Sequence, residues 1–197
     1  MSEQIEIEFK NLLIEEEFER LKTFFSFARE DFKKQVNHYF DTNHFTLKEQ
    51  GCALRIREKI GHFEITLKQP APVGLLETNQ EISPHDAQNM LAGGELPEGP
   101  VRTALSNLVD QTNPVAYFGS LTTERAEKEY CGGLVVLDHS TYLGIHDYEL
   151  EYEVEDEESG RESFHTLLSG LNIPVRKTDN KIMRFYRQKQ WISQSGH

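Results

Sequence analysis

Apolar and polar residues alternate strictly near the start of the chain, with Ile5, Ile7 and Phe9 interleaved between Glu6, Glu8 and Lys10. Successive side chains of a β-strand point to opposite faces, so this segment predicts a strand with one apolar face and one charged row. The period then changes. Over residues 14–28, Phe18, Leu21, Phe24 and Phe25 recur at helical spacing within a charged segment, which predicts an amphipathic helix. Alternation returns over residues 35–41 and again over residues 52–69, a hairpin turning near Gly61. Its first strand sets Arg55, Arg57 and Lys59 against Leu54 and Ile56; its second sets Glu64, Thr66 and Lys68 against Phe63, Ile65 and Leu67. Residues 75–82 give a further strand carrying Glu77 and Glu81. It stops at Ser83-Pro84, a helix cap followed by proline at the first helical position, which opens a helix through Leu91. Residues 92–100 are rich in glycine and proline and read as a loop, followed by a short helix over 101–109. Strands are expected at 115–130, 133–139 and 142–154, and closing helices at 163–171 and 180–191. The acidic run Glu155 to Glu158 between them reads as a solvated turn.

The fold class that follows is α+β with about eight strands. In several strands the polar set is a coherent row of Arg, Lys and Glu, while the apolar set needs helices to cover it. A closed antiparallel β-barrel with a charged lumen and helices packed outside satisfies both patterns. An open sheet with one wet face is the alternative. The 197 residues, 37% of them hydrophobic, suffice for one substantial core, so residues 1–197 are expected to form a single domain. Loop 92–100 is the only candidate linker, and the strands after it need partners from before it.

Charge narrows the chemistry. Asp and Glu number 33 against 21 Lys and Arg, a net charge of -12, which disfavours nucleic acid and anionic membranes as partners. Without an apolar leader or a stretch of membrane-span length, the protein is expected to be soluble and cytoplasmic. Cys52 and Cys131 lack ligand spacing and are read as ordinary reduced thiols. An anionic ligand would need a local basic cluster, and the hairpin supplies one. Arg55, Arg57 and Lys68 lie on adjacent strands and would repel one another unless an anion or a row of carboxylates sits between them. Carboxylates recur late in the chain, at Asp138 and at Glu149, Glu151 and Glu153 on one strand face. Converging carboxylates suit hard, oxygen-ligated cations, and the lack of Cys pairs or a His-Glu-x-x-His motif points to Mg2+ or Mn2+ rather than zinc.

Taken in order, Glu6-x-Glu8-x-Lys10, Tyr39-Phe40-Asp41-Thr42, Leu54-Arg55-Ile56-Arg57, Thr66-Leu67-Lys68, Arg125, Asp138, the Glu149/Glu151/Glu153 strand and Lys181 resemble the CYTH superfamily, also called triphosphate tunnel metalloenzymes. The resemblance runs over nearly the whole chain. It implies an eight-stranded triphosphate tunnel in which Lys10, Arg55, Arg57, Lys68, Arg125 and Lys181 hold phosphate. Glu6, Glu8, Asp138, Glu149 and Glu151 would bind or orient metal, with Glu153 a further member because either adjacent pair of that strand fits. Glu6, Glu8 and Lys10 would form the catalytic signature. One metal would neutralise phosphate charge and a second would position and activate the attacking water. The sequence departs from the family where an Arg-x-Glu-x-Glu strand is expected: it reads Glu77-x-Asn79-x-Glu81. Glu81 still matches, and Arg184, one helical turn after Lys181, could replace the missing basic contact.

The resemblance implies a small triphosphate-containing substrate: inorganic triphosphate, a nucleotide or thiamine triphosphate. No tryptophan stands near Leu54-Arg55 to stack on a thiazolium. The leading expectation is metal-dependent hydrolysis to orthophosphate. The alternatives are an adenylyl cyclase of the class IV type and a polyphosphate- or nucleotide-binding module without turnover. Trp191 is expected to pack on an amphipathic helix with Ile182 and Phe185, His38 to be structural or at the surface, and Cys52 to be buried. Tyr39 and Tyr152 fit either the charged face or an ordinary strand core.

Overall fold

The computed structural model describes residues 2–110 and 112–195. Eight antiparallel strands form one closed barrel in the order β1-β5-β4-β3-β2-β6-β7-β8. They are β1 (Ser2–Leu13), β2 (Lys33–Thr42), β3 (Ala53–Lys59), β4 (His62–Pro70), β5 (Leu75–Ile82), β6 (Val115–Tyr130), β7 (Gly133–Tyr142) and β8 (Ile145–Val154). Closure settles the choice between barrel and open sheet. The helices are α1 (Glu15–Phe25), α2 (Thr46–Glu49), α3 (Pro84–Leu91), α4 (Pro100–Leu105), α5 (Glu157–Gly170) and α6 (Lys181–Ser195), with a 3-10 turn at Arg29–Asp31. No helix among the described residues is long and apolar enough to cross a membrane.

Three hairpins turn in two residues, at Ile60-Gly61, Cys131-Gly132 and Leu143-Gly144, and in each both residues have positive φ. That is the primed turn whose twist matches the flanking strands, and glycine in second place removes half of the steric cost. The third turn corrects the expected strand start at 142: Tyr142 closes β7, paired with Ile145 across the turn.

The chain groups into two compact units, 1–6 with 35–120 and 7–34 with 121–197. In the first, Phe40, Leu54, Ile56, Ile65 and Leu67 form the apolar side of β2, β3 and β4, and Ala87, Met90, Val101 and Leu105 from α3 and α4 complete the core. Cys52 belongs to this core, as expected. The Ser83 hydroxyl accepts the Asp86 N–H at 3.1 Å and opens α3 where the sequence placed it. The helix α2, which has no apolar period, is fixed by Asp41, whose carboxylate accepts the N–H groups of Leu47 at 2.9 Å and Lys48 at 3.1 Å.

In the second unit, Phe18, Leu21 and Phe25 of α1 and Phe164, Leu167 and Leu168 of α5 pack on Val135, Leu137, Leu150 and Tyr152. Helix α1 stops at Ser26, in the left-handed region with φ 56°, where the Phe27 and Ser26 N–H groups bond back to Lys22 and Thr23 carbonyls. The acidic run is not a free turn. Asp156 caps α5, accepting the Ser159 N–H at 2.9 Å, and Glu157 and Glu158 occupy its first turn, where the helix dipole favours carboxylates. The helix therefore begins six residues before the expected 163. Trp191 is also corrected: it is 60% exposed near the end of α6, while Ile182, Phe185 and Tyr186 carry the packing.

Candidate active site

Strand pairing dictates which charges meet. In the second unit, Arg125 of β6 lies opposite Asp138 of β7, Asp138 opposite Glu149 of β8, and Glu151 of β8 opposite Lys10 of β1. Glu8 lies opposite Glu153. All stand on the face opposite the apolar core, as the alternation predicts.

Lys181, at the start of α6, enters this row. Its Nζ contacts Asp138 Oδ2 at 2.8 Å, Glu149 Oε2 at 2.6 Å and Glu151 Oε1 at 2.6 Å. The Arg125 fork binds Asp138 through Nε at 2.8 Å and Nη2 at 2.6 Å, and Nη2 also reaches Glu151 at 2.6 Å. Arg184 joins Asp147 at 2.9 Å to Glu149 at 2.7 Å. Lys10 pairs with Glu8. Burial on its own would raise the Glu151 carboxyl, but Lys181, Arg125 and Lys10 outweigh it and hold that group well below the ordinary carboxylate range. Burial would likewise lower Lys181, yet Asp138, Glu149 and Glu151 push its ammonium well above the ordinary lysine value. Lys10 is raised too, its desolvation outweighed by Glu8, Glu151 and Glu149.

A strap holds Lys181 in register. Asn11, wholly buried on β1, donates to the Pro174 carbonyl at 3.1 Å and accepts the Arg176 N–H at 2.6 Å. Thr178 Oγ1 accepts the Leu12 N–H at 2.8 Å, and the Arg176 guanidinium bonds Leu12 O at 2.9 Å and both Glu17 oxygens. The segment leading into α6 is thereby tied to β1 three residues before Lys181.

The first unit holds a second cluster. Arg55 of β3 lies between Tyr39 of β2 and Thr66 of β4, and Lys68 of β4 lies opposite Glu77 of β5. Lys68 Nζ contacts Glu6 Oε2 at 2.5 Å and pairs also with Glu77. Burial would raise the Glu77 carboxyl, but Lys68 and Arg55 together bring it down to about 2. Arg55 Nε and Thr66 Oγ1 are buried without a hydrogen-bond partner among the described residues. Arg57 lies one step along the same face, between Asn37 and Glu64, and Glu64 is opposite the exposed Glu81.

The structure thus brings Arg125, Asp138, Glu149, Glu151, Lys181 and Arg184 into one ion-pair network, with Lys10 and Glu8 on the adjoining strand. It joins Glu6 to Lys68 and leaves Glu81 at the strand end. Glu149 and Glu151, rather than Glu153, meet on Lys181. Two members of the clusters were not singled out from sequence, Asp147 and Glu77. The first continues the Glu149/Glu151 alternation backwards, and the second stands where the family pattern has arginine. Tyr39 shares the row of Arg55, whereas Tyr152 lies in the core and donates its hydroxyl to Tyr130 O at 2.8 Å. His38 faces Ser120 Oγ at 2.7 Å, opposite Ile56 and off the charged row, in keeping with a structural role.

Three carboxylate oxygens within 2.8 Å of one cationic atom form a donor set of the kind hard divalent ions take, so the chemistry of the residues fits Mg2+ or Mn2+. The ammonium holds that position here, and no group of three or more His, Cys, Asp or Glu among the described residues is arranged to hold a metal.

The model of the CYTH domain matches residues 4–186 of this sequence. The chain belongs to the CYTH domain family. Within that company, the "Putative triphosphatase YjbK" of Bacillus subtilis is 51% identical over 190 residues, 96% of this chain and 98% of that protein. A crystal structure described as a "putative adenylate cyclase" from Bacillus halodurans is 46% identical, with a TM-score of 0.91 over 94% of this chain and 100% of the other. The Hippeastrum protein HpAC1 shares the CYTH fold at 23% identity, with a TM-score of 0.78 over 93% of this chain and 96% of its own.

Proposed function

We propose that this CYTH protein is a divalent-metal-dependent triphosphatase that cleaves inorganic triphosphate or a small triphosphate ester and releases orthophosphate. The observation that carries the reading is the buried network in which Lys181 and Arg125 are held by Asp138, Glu149 and Glu151. Ammonium and guanidinium groups fixed by carboxylates on rigid strands are preorganised donors for phosphate oxygens, and phosphoryl transfer depends chiefly on such positioning and charge stabilisation. The name borne by the relative at 51% identity points the same way.

In this reading Lys10, Arg125 and Lys181, and in the other unit Arg55, Arg57 and Lys68, are the phosphate ligands. Arg184 acts through Glu149 and Asp147, holding the first of these in place for Lys181. Glu6, Glu8, Asp138, Glu149 and Glu151 would hold Mg2+ or Mn2+, which supplies charge neutralisation and a more acidic bound water. Glu151, kept ionised by Lys181, Arg125 and Lys10, is a poor proton acceptor near neutral pH. It serves as a ligand and orienter rather than a general base. Lys10 and Lys181 remain ammonium groups throughout and donate hydrogen bonds to the charge that develops on the phosphate oxygens. Water adds to the terminal phosphorus as its bond to the bridging oxygen breaks: pyrophosphate, or the diphosphate ester, is the leaving group, the water oxygen is retained in orthophosphate, and the water proton passes to the product phosphates or to solvent.

The test is phosphate release from inorganic triphosphate by the purified protein, titrated with Mg2+ and Mn2+, with Glu8→Gln as the control. Metal-dependent orthophosphate release that is lost in the control supports the reading. Tight binding without release would make the protein a binding module. Pyrophosphate and a cyclic nucleotide from ATP, without orthophosphate, would make it the cyclase named for the Bacillus halodurans relative.

A further inference from the structure

Lys68 is shared between two carboxylates, Glu6 and Glu77, and Arg55 also acts electrostatically on Glu77. The Glu77 side chain is only 7% exposed and sits directly across the strand pair from Lys68. Next to this group, the directly paired Arg55 and Thr66 present Nε and Oγ1 as buried polar atoms without a hydrogen-bond partner among the described residues. Buried hydrogen-bonding atoms in a folded protein are normally matched, so unmatched ones grouped on one face mark a place able to bind a polar ligand. Two cations and a hydroxyl around one small volume suit an anion with several oxygens. The carboxylate of Glu77 already supplies the charge such an anion would bring, and among the described residues its ion-pair partner is Lys68.

We propose that Glu77 is an internal substitute for substrate phosphate, a gate on the subsite formed by Arg55, Thr66 and Lys68. This proposal rests on the triphosphatase reading and deepens it. An incoming phosphate takes over Lys68, engages Arg55 Nε and the Thr66 hydroxyl, and leaves Glu77 as an excess negative charge. Binding of bare triphosphate is therefore weakened by Glu77, and a divalent cation bound with the triphosphate would offset that charge. A merely structural glutamate would have the opposite signature, since its loss would disorder Lys68 and weaken binding.

The experiment is calorimetric titration of inorganic triphosphate into the full-length protein, with chelator and separately with Mg2+, for wild type, Glu77→Gln and Glu77→Asp. Glu77→Gln keeps shape and removes charge; its chelator-treated form should bind triphosphate roughly tenfold tighter than wild type or better, from the loss of one like charge at contact distance. Glu77→Asp, which keeps the charge, should bind as wild type does. With Mg2+ the difference between Glu77→Gln and wild type should shrink. Equal or weaker binding by Glu77→Gln, when wild type does bind, overturns the gate and leaves the triphosphatase reading standing. If no form of the protein binds triphosphate with or without Mg2+, the reading itself fails and the gate falls with it.

Discussion

Lys181→Met keeps the length of a long buried side chain and removes its ammonium, so it tests the network without opening a large cavity. In the wild type the ammonium is 10% exposed, and the side chains of Asp138 and Glu149, two of its three partners, are wholly buried. Deleting one member of a buried ion pair costs about 3–5 kcal/mol, because the partner charges stay behind without compensation. Arg125 still holds Asp138 and Arg184 still holds Glu149, which places the loss at the lower end, about 3 kcal/mol. For a chain of this size that lowers the thermal midpoint by roughly 6–12 °C. The pH dependence has a definite sign. Glu151 is lowered in the folded state, so its pairing contributes stability that is present above its unfolded value of 4.5 and lost as pH falls through the folded one. Lys181 is raised above 10.5, so its own contribution is fully present below that value and does not vary across the acid and neutral range. In the variant, carboxylates freed of the ammonium take up protons first as pH falls. The stability difference from wild type is thus complete near pH 7 and narrows below about pH 4.5. Urea unfolding at both pH values measures it. A loss under about 1 kcal/mol near neutrality, or a difference that widens in acid, would refute the argument.

Asn11→Ala removes two buried hydrogen bonds to the strap before α6 and should cost about 1–3 kcal/mol in urea unfolding, with faster amide exchange over 174–186; unchanged exchange there would deny the strap its role. Arg57→Ala lies on the charged face rather than in the apolar core, so triphosphate turnover should be lost while circular dichroism and the urea midpoint stay near wild type; wild-type rates would remove Arg57 from the phosphate ligands. Trp191→Ala, at an exposed position, should change stability by no more than about 0.5 kcal/mol, and a larger loss in urea unfolding would restore the packing role read from the sequence.

Strand positions and the faces they present were legible because alternation is a local property. Leu54, Ile56, Ile65 and Leu67 on one side and Arg55, Arg57 and Lys68 on the other follow from the period of a strand alone. What escaped the sequence depends on local cap chemistry or on distant pairing. Helix α5 begins at Glu157 because Asp156 caps it, a signal carried by a single side chain and masked by the acidic run around it. The short helix α2 has no periodicity and exists because Asp41 accepts two of its N–H groups. Trp191 lies out of phase with Ile182, Phe185 and Tyr186, about half a turn around the helix from Ile182 at about 3.6 residues per turn, so it faces away from the packed side of α6. The tie from Asn11 to Pro174 and Arg176 joins residues more than 160 positions apart and leaves no trace in local composition. Glu77 was visible as a departure from the family pattern, yet its partnership with Lys68 required the register of β4 on β5.

Charge balance within the second unit gives an independent argument about metal. Lys10, Arg125, Lys181 and Arg184 share one face and network with Glu8, Asp138, Asp147, Glu149, Glu151 and Glu153, so carboxylates outnumber cations before any substrate arrives. Adding a phosphate to that set places anion against anion, at about 3 kcal/mol for each unit pair 5 Å apart in an effective dielectric near 20. Protons could offset this only if the carboxylates titrated near neutrality, and Glu151, with Lys181, Arg125 and Lys10 overcoming its burial, does the reverse. The remaining source of compensation is a cation that enters with the phosphate, and carboxylate oxygens on rigid strands select a hard one. Under the proposed triphosphatase reading, charge balance in this unit predicts that triphosphate binds together with a divalent cation, and omission of Mg2+ and Mn2+ should raise KM more steeply than it lowers the affinity of the protein for orthophosphate, whose smaller charge meets less repulsion.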